Sequence, residues 1–175
     1  EERVHVGATG CDIITAEISQ KTKSIPSFFM DRFEVSQDEY NQCRKAKICR
    51  QYGPNWKIGP SPATGINQKQ AAAYCRWAGK RLPTFEEWLY ATRGPGSRSV
   101  FPWGNLPLKS DSGYRANLGR FRRKGGAPFR GDGHKYVAPV NAFKDIQTPF
   151  MVANLVGNVR EWTSTEKGGR FRLAG

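Results

Sequence analysis

The chain has 175 residues, 38% hydrophobic and 12% aromatic, which excludes a disordered chain and suits one domain able to bury roughly two-thirds of its surface. No run approaches the apolar length of a membrane-spanning helix, and 19 Gly with 11 Pro demand a backbone rich in turns. The net charge of +13 is uneven: residues 1–40 hold four basic and eight acidic side chains, net −4, which leaves +17 on the remainder.

The chain opens on Glu1-Glu2-Arg3 without a leader-like apolar run, as a processed or trimmed N-terminus would. An apolar, aromatic segment at 28–35 predicts a strand. Ser36-Gln37-Asp38-Glu39 follows with the S-x-x-E pattern, in which hydroxyl and carboxylate satisfy each other's backbone N–H groups. A helix should therefore run through Tyr40 and Cys43. Asn67 with Gln70 predicts a second start, with Ala71, Tyr74, Cys75 and Ala78 as the apolar stripe and Gly79 as its left-handed end. Thr84 with Glu87, behind Pro83, predicts a third, turning Trp88, Leu89 and Ala91 inward. From 94 to 133 periodicity is weak, and so long an irregular stretch calls for a functional or metal-held reason. Further strands are expected at 137–143 and 171–173. The reading is a mixed α+β domain with few helices and short strands.

Cys11, Cys43, Cys49 and Cys75 show neither C-x-x-C spacing nor Cys/His clustering, which disfavours zinc. Cys43 and Cys49 bracket five residues at a helix end, near enough for a local disulfide if the chain turns back. An extracytoplasmic compartment would favour that bond; a reducing cytosol would keep four thiols. In the 115–135 loop, Arg115, Arg120, Arg122, Arg123, Lys124, Arg130 and Lys135 face Asp132 alone. Such a loop suits an acidic polymer or another anionic partner, or it is simply solvated. Lacking interleaved aromatics or a helical stripe, it does not read as a nucleic-acid surface.

Catalytic patterns are sparse. His5 and His134 stand far apart, and neither a G-x-S-x-G elbow nor a phosphate-binding glycine loop occurs. Glu86 and Glu87 are adjacent on a helix and point to different faces. No cysteine has an activating base beside it. Trp77, Trp88, Trp103 and Trp162 read either as groove lining or, more simply, as core anchors. Oxygen donors are better arranged. Residues 154–161 set Asn154 and Asn158 about a glycine turn with Glu161 beyond, the amide, carbonyl and carboxylate mixture that calcium takes. Asn117 and Asp132, with neighbouring carbonyls, could form a second set. Pattern alone favours a plainer reading, with turn-forming asparagines and Glu161 in a salt bridge.

Ordered phrases change those odds. FFMDRFEVSQDEYNQC, AAAYCRWAGKRLPTFEEWLYATRG, FPWGN, YRANLG, GDGHKYVAPVNAF and NLVGNVREWTS resemble the formylglycine-generating enzyme family, the sulfatase-modifying factor domain, over residues 26–175. Residues 1–25 stand apart as an N-terminal strand or extension. The resemblance implies a variant of the C-type lectin fold, and a C-x5-C-like insertion that fits Cys43 and Cys49. It implies one calcium ion held by Asn117, the Leu118 carbonyl, Asp132 and the His134 carbonyl. Another would be held by Asn154, the carbonyls of Gly157 and Val159, and Glu161. Oxidases of the family place two copper-binding cysteines after an RGGS turn. RLAG at 172–175 resembles the start of that turn and the sequence ends there, so copper is expected only with a further segment. A family cysteine of the final strand commonly pairs with the position matching Cys75. The iron site of related sulfoxide synthases needs more histidines than two, and Arg160 stands where the family usually has an aromatic residue.

The expectation that follows is a non-catalytic, calcium-stabilised binding or structural module of an extracytoplasmic bacterial protein, with a protein or peptide partner. Its alternative is the N-terminal part of an oxidase that converts a peptidyl cysteine to formylglycine.

Overall fold

Apolar residues recur at helical spacing in three short stretches and alternate only briefly elsewhere, and the architecture follows that economy. The structure, a computed structural model, describes residues 3–6, 24–50, 59–95, 99–110, 113–118, 132–134, 136–146 and 148–175. Cys11 and the basic Arg120, Arg122, Arg123, Lys124, Arg130 and Lys135 lie outside the described residues.

In chain order come β1 (Arg3–Val6), β2 (Phe28–Asp31), α1 (Gln37–Lys45), α2 (Gln68–Trp77), α3 (Phe85–Arg93), β3 (Lys109–Ser110), β4 (Gly113–Tyr114), β5 (Glu161–Lys167) and β6 (Arg170–Ala174). The strands pair antiparallel as β1–β2, β3–β4 and β5–β6. Among the described residues no helix is long and apolar enough to cross a membrane.

All three helices start where capping chemistry predicts. Ser36, Asn67 and Thr84 each accept the N–H three residues on, while Glu39, Gln70 and Glu87 reach back to the cap backbone. α2 ends as expected: Gly79 takes φ +70°, and the N–H of Lys80 returns to the Cys75 carbonyl at 2.7 Å. α1 ends differently. Lys47, with φ +60°, makes the left-handed turn usually left to Gly, and both Ile48 and Cys49 donate to the Cys43 carbonyl. That reversal brings Cys49 back to Cys43 in the expected disulfide.

Two apolar clusters hold these pieces. In one, Trp88, Tyr90 and Ala91 of α3 pack with Val152, Leu155 and Ala174, and Val4 and Met30 close its side. In the other, Tyr40 of α1 stacks on Tyr74 of α2 with ring centroids 5.6 Å apart, beside the disulfide. Burying aromatics of this size contributes on the order of 2–3 kcal/mol each, which lets short elements persist.

Two strand expectations are revised and a third is borne out with a partner strand that was not foreseen. The segment 28–35 is ladder-paired only to Asp31; beyond it, Arg32 and Val35 give their carbonyls to Ala153 and Ala63 of separate loops. The 137–143 segment is not a strand. Pro139 has no N–H to donate, Val140 bonds to the Pro60 carbonyl, and Ala138 bonds through both its backbone groups to the Asn158 side chain. Strand 171–173 is present as β6, but its partner β5 was read only as the end of a metal loop. β5 begins at Glu161, opposite Ala174.

Candidate functional site

A cleft of about 690 Å³ opens between β2, α2, the 79–83 segment and the start of β5. Trp88 and Trp162 line it, and the Trp162 indole N–H donates to the Ile66 carbonyl at 3.0 Å. The other two tryptophans weighed as groove lining do not. Trp77 is exposed, and Trp103 stacks on Phe101 with centroids 5.1 Å apart.

The charges at the cleft are mostly committed. Lys80 Nζ bonds both Asp31 oxygens at 2.9 Å. Arg81 forks onto Glu87 at 2.7 and 2.6 Å, the bidentate geometry that suits guanidinium and carboxylate. Glu86 accepts from the Thr165 hydroxyl at 3.4 Å, so the adjacent glutamates serve structure rather than proton transfer. Arg160 is exposed at the rim. Cys75 lines the cleft as a free thiol. Burial, aided by the Asp31 charge, pushes its pKa up to about 11, so at neutral pH it is an inert thiol.

The 154–161 turn, whose Leu155, Val159, Arg160 and Glu161 line the cleft, builds the more unusual environment. Asn154 (φ +58°), Gly157 (φ +82°) and Asn158 (φ +56°) put three left-handed residues into five, so the turn chemistry read from the sequence is correct. The salt bridge expected of Glu161 in the plainer reading is not found among the described residues. Both Glu161 oxygens are buried, with no hydrogen-bond partner among the described residues. Burial raises this carboxyl well above its ordinary range and the nearby Glu34 charge raises it further; its own backbone N–H and the Trp88 indole N–H, itself buried without a hydrogen-bond partner among the described residues, lie near enough to oppose the shift but make no hydrogen bond to it. A Cβ placed on Gly175 would lie 2.9 Å from Glu161 Oε2 and 3.1 Å from the Val159 carbonyl oxygen, so these two oxygens face one small space.

Asn154 and Asn158 meet a residue that motif reading passed over, Glu34. Asn154 Nδ2 donates to Glu34 Oε2 and to the Val140 carbonyl, both at 2.7 Å. Asn158 Nδ2 donates to Glu34 Oε1 at 2.9 Å and Oε2 at 3.2 Å. Burial pushes the Glu34 pKa up to about 7, against these two amide donors. Its signal in the sequence was faint: a carboxylate amid the aromatic run FFMDRFEV, where a strand facing a core would avoid one. Asn158, taken as an oxygen donor to a cation, is otherwise engaged. Its Oδ1 accepts from Asn117 Nδ2 at 2.9 Å and from the Ala138 N–H at 2.7 Å.

The other expected set is also drawn together. Asp132 accepts the N–H groups of Leu118 and His134, each at 3.0 Å, and Asn117 Nδ2 donates to the Tyr136 carbonyl at 2.7 Å. The His134 ring meets Phe143 edge-on at 5.9 Å. Asp132 is thus satisfied by backbone donors, whereas Glu161 is not. The cavity at Glu161 fits a hard cation: an orphaned buried carboxylate beside a main-chain oxygen is stabilised by a positive charge. Among the described residues no group of three His, Cys, Asp or Glu converges, so only amides and carbonyls could complete such a shell.

Comparison with known proteins supplies the family. The model of the sulfatase-modifying factor enzyme 1-like domain matches residues 3–170. The inactive Cα-formylglycine-generating enzyme 2 of Bos taurus is 40% identical over 124 residues, covering 63% of this chain and 38% of that protein. The formylglycine-generating enzyme of Mus musculus is 39% identical over 125 residues, 64% of this chain and 32% of that protein. Hercynine oxygenase of Mycolicibacterium smegmatis is 34% identical over 110 residues. The matched stretch covers 38% of the first of these relatives, 32% of the second and 22% of the third, well under half of each. The crystal structure of CarF superposes with a TM-score of 0.66 over 98% of this chain and 84% of that one at 16% identity, which establishes a shared fold.

Proposed function

Since the chain belongs to the sulfatase-modifying factor enzyme 1-like family, we propose that it is a calcium-stabilised binding or structural module of that family, acting on or beside a protein partner. Asn154 Oδ1, the carbonyls of Gly157 and Val159, and Glu161 would hold the ion; Asn117, the Leu118 carbonyl, Asp132 and the His134 carbonyl would hold a second. The ion would supply the positive charge that burial denies Glu161, and would tie the 154–161 turn to the start of β5. The observation that carries this reading is the buried Glu161 carboxylate without a hydrogen-bond partner among the described residues. The Cys43–Cys49 disulfide supports an extracytoplasmic setting, and the cleft offers the surface for a peptide.

Thermal melting of the recombinant chain tests the reading. Calcium at a hundredfold excess over its Kd adds about 2.7 kcal/mol, a rise of roughly 5–10 °C in Tm for a chain of this size, and EDTA reverses it. A melting temperature indifferent to both calcium and EDTA removes the calcium reading.

A second reading is favoured by the near-equal identity to a formylglycine-generating enzyme and to an inactive homologue, 39% against 40%. In it the chain is part of a copper-dependent oxidase that turns a peptidyl cysteine into an aldehyde. Incubation of the native protein that contains this chain with a cysteine peptide, copper and oxygen decides it: aldehyde capture by a hydrazide supports the oxidase, and an unchanged thiol supports the module.

A further inference from the structure

Three side-chain amides near the cleft floor are wired to a single carboxylate. Glu34 Oε2 accepts from Asn154 Nδ2 at 2.7 Å, and Glu34 Oε1 accepts from Asn158 Nδ2 at 2.9 Å. Asn158 in turn presents Oδ1 to Asn117 Nδ2 at 2.9 Å. An amide can be turned over with little change in shape, exchanging donor for acceptor. Glu34 has an amide NH2 at each of its two oxygens, so both act as acceptors in this arrangement. Its two oxygens therefore compel both asparagines to aim their NH2 groups at Glu34.

The consequence for Asn154 is specific. With Nδ2 held by Glu34 and by the Val140 carbonyl, its Oδ1 is left as the free acceptor, with no donor on it among the described residues. For Asn117 the effect passes through Asn158: Asn158 Nδ2 faces Glu34 and the Ala138 carbonyl, so Oδ1 faces Asn117 and draws its NH2 group inward. Asn154 and Asn117 are the amides proposed above as the side-chain ligands of the two cation sites.

We propose that Glu34 is the positioning residue of this amide relay: it fixes which atom of Asn154, and through Asn158 which atom of Asn117, is offered to a cation. The inference rests on the calcium reading above and adds that both sites answer to one side chain. Glutamine at position 34 has nearly the same shape but one acceptor and one donor. With its oxygen in the place of Oε2 it still accepts from both asparagines, but its NH2 then meets the Asn158 NH2; turned over, its NH2 meets both, so either way a donor–donor conflict arises in a partly buried place.

The test is calcium affinity, by titration calorimetry on the full chain, for wild type, Glu34→Gln and Glu34→Asp, with metal-free melting as the check on folding. Outer-shell partners of metal ligands typically change affinity 10- to 100-fold, so Glu34→Gln is expected to bind at least about tenfold more weakly. Glu34→Asp keeps a carboxyl head one methylene back and should bind between the two. If Glu34→Gln fails to fold, the aspartate variant carries the test, with a measurable loss expected and wild-type affinity overturning the proposal. A glutamine variant that melts lower without metal yet binds calcium as tightly as wild type makes Glu34 merely structural, and overturns it. Aspartate binding more weakly than glutamine overturns it too, since reach rather than acceptor character would then matter. Absence of calcium binding by the wild-type chain is a separate result: it removes the reading beneath the proposal, and the proposal with it.

Discussion

Gly157 adopts φ +82°, and a Cβ there would run into the Asn117 carbonyl oxygen, the acceptor of the Asn158 N–H. Both the left-handed backbone and the close approach exclude a side chain. Gly157→Ala is expected to cost about 2–3 kcal/mol and to lower the urea midpoint accordingly; a midpoint within error of wild type would contradict the assigned turn. At this scale the sequence was informative where a residue's chemistry acts on its own backbone. Gly157 announces a turn wherever it stands. Glu34 does not announce its role, because a carboxylate becomes a fixed acceptor for Asn154 and Asn158 only when residues 120 and 124 positions away are folded against it.

Elements follow the same division. The three capping boxes are complete within four residues each, so the starts of α1, α2 and α3 were legible before any tertiary contact was known. The Cys43–Cys49 bridge is nearly as local, needing only the reversal at Lys47. In the chain-entropy account so short a loop is worth about 2 kcal/mol. Cys43→Ser with Cys49→Ser is therefore expected to lower the unfolding free energy by that amount, read as a lower denaturation midpoint, with α1 losing hydrogen-exchange protection before α3; equal loss in both helices would mean that the bridge supports the whole domain. Strands were harder to read. The 137–143 segment has the composition of a strand, but the Asn158 side chain, the Asn154 amide and Pro60 take the groups that a ladder would need. Pairing is decided by what lies alongside, and composition is silent on that.

At the scale of the molecule, short antiparallel pairs and three helices share two aromatic clusters, the formylglycine-generating-enzyme-like variant of the C-type lectin fold. The charge imbalance belongs to this scale as well. With +17 outside residues 1–40, the chain is expected to bind heparin at low ionic strength and to elute at modest salt, with affinity falling steeply as salt rises; retention that persists in high salt would instead indicate a built anion site. By itself the sequence determined the α+β class, the helix starts, the local disulfide and, through its ordered phrases, the family. Each of these rests on chemistry between near neighbours or on residues that carry their meaning wherever they stand. Only the tertiary structure decided that Glu161 is buried without a hydrogen-bond partner among the described residues, that Asn158 spends its oxygen on Asn117 and Ala138, and that Glu34 joins the amides. Desolvation and hydrogen-bond direction depend on what surrounds an atom in space, and no spacing along the chain encodes them.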